Sequence, residues 1–134
     1  MEQERQIPEP RLEPVLDALG LEFLAGILEV ELARHPENLA ALIELGHVYT
    51  RAKRFESGLA VDQELARRAP EDPTVRYNLA CSLALLGRSQ EALDELERAI
   101  GLGYEDPEHL LADEDLASLR GEERFREIVR TLGA

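Results

Sequence analysis

Residues 75–100 read VRYNLACSLALLGRSQEALDELERAI, and this stretch decides the fold. Apolar side chains at Tyr77, Leu79, Ala80, Leu83, Ala84 and Leu86 recur at the spacing of one helix face up to Gly87. Ala92, Leu93, Leu96, Ala99 and Ile100 then resume the pattern. The stretch predicts two amphipathic helices joined by a tight turn.

The same unit stands upstream. Pro36 and Pro70, Leu45 and Leu79, Leu59 and Leu93, and Pro73 and Pro107 are each 34 residues apart. Pro-Glu-Asn at 36–38 returns as Pro-Glu-Asp at 70–72. Leu42, Leu45, Gly46, Tyr49 and Pro70 in one copy, and Leu79-Ala80, Leu83, Ala92 and Leu96 in the next, resemble the signature of the tetratricopeptide repeat (TPR). Ala80 replaces the signature glycine and Leu83 its tyrosine in the second copy. In the first, Lys53 replaces the turn glycine, Gly58 the helix-packing alanine and Asp62 a bulky residue. The resemblance covers about residues 21–132 and is most specific over 39–104. It implies an all-α, TPR-like helical-hairpin solenoid, a right-handed superhelix of antiparallel helix pairs, whose activity is binding another protein.

Composition agrees with helices. Of 134 residues, 44% are apolar and only 4% aromatic, so the core must be built from Leu, Ala, Val and Ile, and no long stretch alternates apolar and polar residues. The net charge of −13 repels phosphate backbones and anionic lipid, which argues against nucleic acid and membrane surfaces and leaves neutral or basic protein segments as partners. A single cysteine, Cys81, excludes an internal disulfide or a multi-cysteine metal site. The start, MEQERQIPEPRLEP, is acidic where a signal peptide would be basic and then apolar. A cytoplasmic protein is expected.

Taken in order, residues 1–11 form an acidic leader, expected to be mobile, and 12–134 one TPR domain. Its parts are a degenerate N-terminal repeat or cap at 12–36, full repeats at 39–72 and 73–106, and a degenerate C-terminal cap at 107–134. The first cap reads as a short helix from Leu12 to Gly20, then a strongly apolar one from Leu21 to Leu32 that stops before Pro36. In the last cap Asp113 is placed to cap a short helix, and Phe125, Ile128, Val129 and Leu132 face inward from a final one.

The resemblance also implies where a partner lies, along the first helices of the repeats. That puts Ile43, His47, Thr50 and Arg51 beside Tyr77, Asn78, Cys81 and Leu85. The plainer expectation makes Cys81 and Leu85 core, leaves His47 and Arg51 solvated, and exposes only Tyr77 and Asn78 for binding. The carboxylate clamp of chaperone-binding TPR proteins is not expected: Ile43, His47, Asn78, Glu108 and Ala112 hold its positions, only Asn78 matches, and Glu108 repels a carboxylate. Asp62, on an apolar stripe, is expected to need a donor from Tyr49, Tyr77 or Asn78 and to act as a polar lock between repeats.

No catalytic constellation or cofactor motif is present. His35, His47 and His109 share no metal-binding spacing, Asp113, Glu114 and Asp115 lack the glycine and distal glutamate of a calcium loop, and Cys81 sits on an apolar face. Two functions stay open: a non-catalytic adaptor that binds in a groove, and a self-associating module, a homodimer paired through Leu16, Leu19, Phe23, Phe125 and Ile128.

Overall fold

The computed structural model describes residues 12–133, and the expected leader at 1–11 lies outside them. The described residues form seven α-helices and one 310 helix, with no strand among them. The α-helices are α1 (Leu12–Arg34), α2 (Leu39–Arg51), α3 (Phe55–Arg68), α4 (Pro73–Leu85), α5 (Ser89–Gly101), α6 (Pro107–Ala112) and α7 (Glu123–Gly133); the 310 helix spans Glu114–Leu119. None is long and apolar enough to cross a membrane.

Two hairpins, α2–α3 and α4–α5, stack through α3 against α4, with α1 on α2 at one end and the 310 helix and α7 at the other. The 34-residue period of the sequence is a period of helix ends. Asn38, Asp72 and Asp106, spaced by that period, cap α2, α4 and α6: Ala41 N–H donates to Asn38 at 3.0 Å, Thr74 and Val75 N–H to Asp72 at 2.9 and 3.2 Å, and His109 N–H to Asp106 at 3.0 Å. Pro73 and Pro107 follow their caps at the first helical position, where no N–H is needed.

The helix exits repeat as well. After α2, α4 and α5, a residue at positive φ (Lys53 at 61°, Gly87 at 74°, Gly103 at 116°) reverses the chain. The next N–H reaches back five residues, from Arg54 to Tyr49 O at 2.8 Å, Arg88 to Leu83 O at 2.9 Å and Tyr104 to Ala99 O at 3.0 Å. Lys53 adopts the conformation of the glycine it replaces.

Between these ends lies a core of small and branched side chains, with Val48, Leu65, Ala80, Leu83, Leu93, Leu96 and Ala99 inside it and Leu110, Leu116, Leu119 and Phe125 closing it from the C-terminal side. Gly46 and Gly58 let α2 and α3 approach closely, since a Cβ on Gly46 would stand 3.2 Å from Val61 Cγ1 and one on Gly58 3.3 Å from Thr50 Oγ1.

Two expectations are corrected. The N-terminal cap is one 23-residue helix, not two helices divided at Gly20. Gly20 meets nothing within 4 Å, and neither a capping side chain nor a proline follows it, so its helical cost of about 1 kcal/mol does not end the helix. Only the second half of α1 packs, through Leu21, Leu24, Ala25, Leu28 and Leu32. In the C-terminal cap α6 is an added element, and Phe125 and Ile128 are core residues, so they are not available to pair between copies.

Candidate functional site

The first helices of successive units, α2, α4 and α6, bring their side chains to one groove. It deepens into a cavity of about 310 Å³ lined by Gly46, His47, Thr50 and Arg51 from α2, Asp62 from α3, Tyr77, Asn78, Cys81 and Ser82 from α4, and His109, Asp113 and Asp115 from the C-terminal cap. Of the residues expected in the groove, Ile43 and Leu85 lie outside this cavity, Ile43 exposed and Leu85 half-buried. His47 and Arg51 are exposed at the rim, Thr50 and Asn78 half-buried, and Cys81 buried.

Tyr77, expected to be exposed for binding, is only 4% exposed. Its ring stacks on Tyr104 at 4.6 Å and its hydroxyl donates to Asp113 Oδ2 at 2.7 Å. Burial, with that carboxylate beside it, pushes the phenol far above its ordinary range, so Tyr77 is a fixed neutral donor. Asp113 Oδ2 also lies 3.7 Å from Cys81 Sγ and 3.6 Å from His109 Nε2, while its Oδ1 accepts the Asp115 N–H at 3.0 Å. Asp113 is thus both the expected cap of the 310 helix and the polar hub of the groove.

Asp62, 6% exposed, crosses from α3 to α4, where its Oδ2 accepts the Ser82 hydroxyl. The donor is Ser82 and none of Tyr49, Tyr77 or Asn78: the Tyr49 hydroxyl instead donates a hydrogen bond to Glu29 on α1 at 2.6 Å. Burial pushes the Asp62 carboxyl up to about 6, against the opposing effect of the Ser82 hydrogen bond and of neighbouring His47. Asp115 is raised too, by burial and by Asp113 next to it.

Cys81 Sγ and the carboxylate oxygens of Asp113 and Asp115 lie within 4.8 Å of one another, the one arrangement among the described residues with metal-ligand character. Burial and the two carboxylates drive the Cys81 thiol far above its ordinary range. As it stands the thiol is a buried hydrogen-bond donor to Asp113 and a packing residue rather than a nucleophile.

Ser82, His109, Asp113 and Asp115 escaped the sequence reading as groove residues. Ser82 carries no local signal, since it becomes polar lining only because Asp62 faces it from another helix. The Asp113 capping pattern was visible, but its approach to Tyr77 across 36 positions was not.

No family model matches the chain. A 79-residue segment, 58% of the chain, is 35% identical to a chloroplastic protein of Arabidopsis thaliana and spans 22% of that protein. Among solved structures, MamA AMB-1 aligns over 81% of this chain and 58% of its own with 25% identity and a TM-score of 0.63, and MamA MSR-1 over 85% and 68% with 22% identity and a TM-score of 0.65. MamA is a TPR-fold protein, and the chain has that fold, an all-α, TPR-like helical solenoid.

Proposed function

We propose that this TPR-fold chain is a non-catalytic adaptor that holds a neutral or basic segment of another protein in the groove formed by α2, α4 and the C-terminal cap. The observation that carries this reading is the cavity itself: polar side chains from three successive units converge on one concavity that no element among the described residues fills. Arg51 and Asn78 are the groove side chains free enough to contact a partner without holding the fold. Arg51→Ala/Asn78→Ala is expected to keep the wild-type melting temperature and to lose a partner that wild-type protein captures from source lysate. Capture unchanged by the double substitution would count against the groove. The free thiol of Cys81 suits a reducing compartment, and we place the protein in the cytoplasm.

A second reading, a module that associates with itself, draws on a different observation. The outer face of α1 exposes Leu12, Val15, Leu16, Leu19, Phe23, Ile27 and Val30, a continuous apolar stripe. Phe125 and Ile128 take no part in it. Light scattering separates the readings, since an adaptor needs no second copy.

A further inference from the structure

Resting on the groove reading, we infer that the floor of the groove is a cation pocket that takes a lysine ammonium or arginine guanidinium from the bound segment. Two acids are buried among the described residues, Asp62 and Glu95, and their surroundings differ. Buried Glu95 is held by Arg76 at 3.2 Å and Arg98 at 2.8 Å, Glu64 by Arg67 and Arg68 at 2.6 and 2.8 Å, Asp94 and Glu97 by Arg124 at 2.5 and 2.8 Å, and Glu29 and Glu22 stand beside Arg54. Asp62, buried like Glu95, has no such partner.

Three carboxylates from two separate elements line the cavity, Asp62 on one side and Asp113 with Asp115 on the other, and none has an arginine or lysine ion-pair partner among the described residues. Asp62, a residue only 6% exposed, has the Ser82 hydroxyl on Oδ2, while its Oδ1 accepts no hydrogen bond from a described residue and opens to the cavity. The Asp113 carboxylate is held by neutral donors, with His109 at 3.6 Å its ion-pair neighbour, while Arg120 reaches the main-chain oxygen of Asp113 at 3.4 Å. The Asp115 carboxylate has no protein donor among the described residues. Arg51 stands at the rim, exposed and without an ion pair among them.

A carboxylate withdrawn from water without a counter-cation is costly, and the raised proton affinities of Asp62 and Asp115 are the sign that this cost is unmet. The wall beside Asp62 is backbone, because Gly46 has no side chain there and a Cβ would come within 3.3 Å of Asp62 Oδ1. The remaining space, about 310 Å³, sits at the small end of ligand sites, which start near 300 Å³, and suits one long side chain rather than a folded element. The Tyr77 ring and the Cys81 thiol of α4 give an aliphatic stem its apolar wall.

The probes are blocked pentapeptides, Gly-Gly-X-Gly-Gly, with X as Arg, Lys, Gln or Glu, titrated into isotope-labelled full-length protein and followed residue by residue by NMR. The Arg or Lys peptide is expected to shift the amides of Gly46, Asp62, Ser82 and Asp115 saturably, with Gln and Glu inert and the stronger of the two cations identifying the preferred head group. Asp62→Asn, which keeps the Ser82 hydrogen bond, and Asp115→Asn, at the more open end, are each expected to weaken that binding at least tenfold while the rest of the spectrum stays folded. Equal shifts from the Gln peptide, or shifts scattered over surface acids and untouched by both variants, overturn the inference. The groove reading stands or falls apart from this: partner capture lost in Arg51→Ala/Asn78→Ala but kept in Asp62→Asn and Asp115→Asn sinks the cation pocket alone.

Discussion

Asp62 is the residue at which this sequence departs furthest from its own repeat, and its chemistry sets a test. It shares a cavity with Arg51, Tyr77, Cys81, Asp113 and Asp115, and Ser82 from α4 and His47 from α2 act on it directly. Its carboxyl titrates at about 6 in the folded protein against an ordinary 3.8, so between those values the folded state holds a proton that the unfolded state has released. Stability from this group is therefore full below about pH 4 and is lost as the pH rises through 6, at about 1.4 kcal/mol per unit of difference. By that measure the ionised Asp62 costs on the order of 3 kcal/mol at neutral pH. Asp62→Asn keeps an oxygen for Ser82 and removes the charge. It is expected to melt higher than wild type at pH 7.5 and to converge with it near pH 4, which thermal melts across that range would show. A polar lock that depended on the charge would give the opposite order, with the variant melting lower at neutral pH. The sequence exposed the misfit of an acid on an apolar stripe but not its partner, because Ser82 is an unremarkable helix residue until α3 and α4 are packed.

At the scale of elements, the helix ends were legible because their chemistry is local: an Asn or Asp cap, a proline after it, and a left-handed residue at the exit all lie within a few positions of one another. The 34-residue recurrence of Pro36 and Pro70, and of Pro73 and Pro107, made the hairpins readable before any packing was known, while the caps at Asn38, Asp72 and Asp106 emerge from the structure. The continuity of α1 was not legible, since a glycine inside an apolar run looks like a break and becomes one only if the backbone turns left-handed there. Gly20 does not, whereas Lys53 does. Three substitutions separate these roles. Lys53→Gly removes the cost of a left-handed side chain and is expected to add about 1 kcal/mol of stability. Gly20→Ala, in open space on α1, is expected to add up to about 1 kcal/mol through helix propensity. Gly46→Ala is expected to lower it by about 1 kcal/mol or more, because the new methyl meets Val61 and Asp62 at 3.2 and 3.3 Å and a β-branched side chain yields little. Urea melts of the three variants check the order; a stabilised Gly46→Ala would mean that α2 and α3 part at little cost and that the cavity floor is soft.

For the molecule as a whole, two opposed surfaces decide what it associates with, and salt tells them apart. The seven exposed apolar side chains of α1 offer on the order of 100 Å² each, so two copies paired along that stripe would cover about 700 Å² apiece, close to the roughly 800 Å² per partner of a stable interface. Against this stands the charge: each copy carries −13, and α1 adds Glu13, Asp17, Glu22 and Glu29 near the stripe. At about 10 mM salt the screening length is near 30 Å and the copies repel over their full width, whereas at 1 M it is about 3 Å and only the apolar contact remains. Self-association through α1 is therefore expected to strengthen as salt is added. Binding of a cationic segment in the groove is expected to weaken over the same range, because the attraction that draws it in is screened. Mass by light scattering from 10 mM to 1 M NaCl, with wild type and Leu19→Glu/Phe23→Glu, reads the first surface. The variant should stay monomeric throughout while wild type grows toward a dimer. A wild-type protein that is monomeric at 1 M salt and high concentration leaves the apolar face of α1 to a partner other than a second copy, and an assembly that persists in the variant places the contact on some other face. Since neither result alters the titration of Asp62 or the packing of Gly46, the two surfaces can be tested separately on one protein.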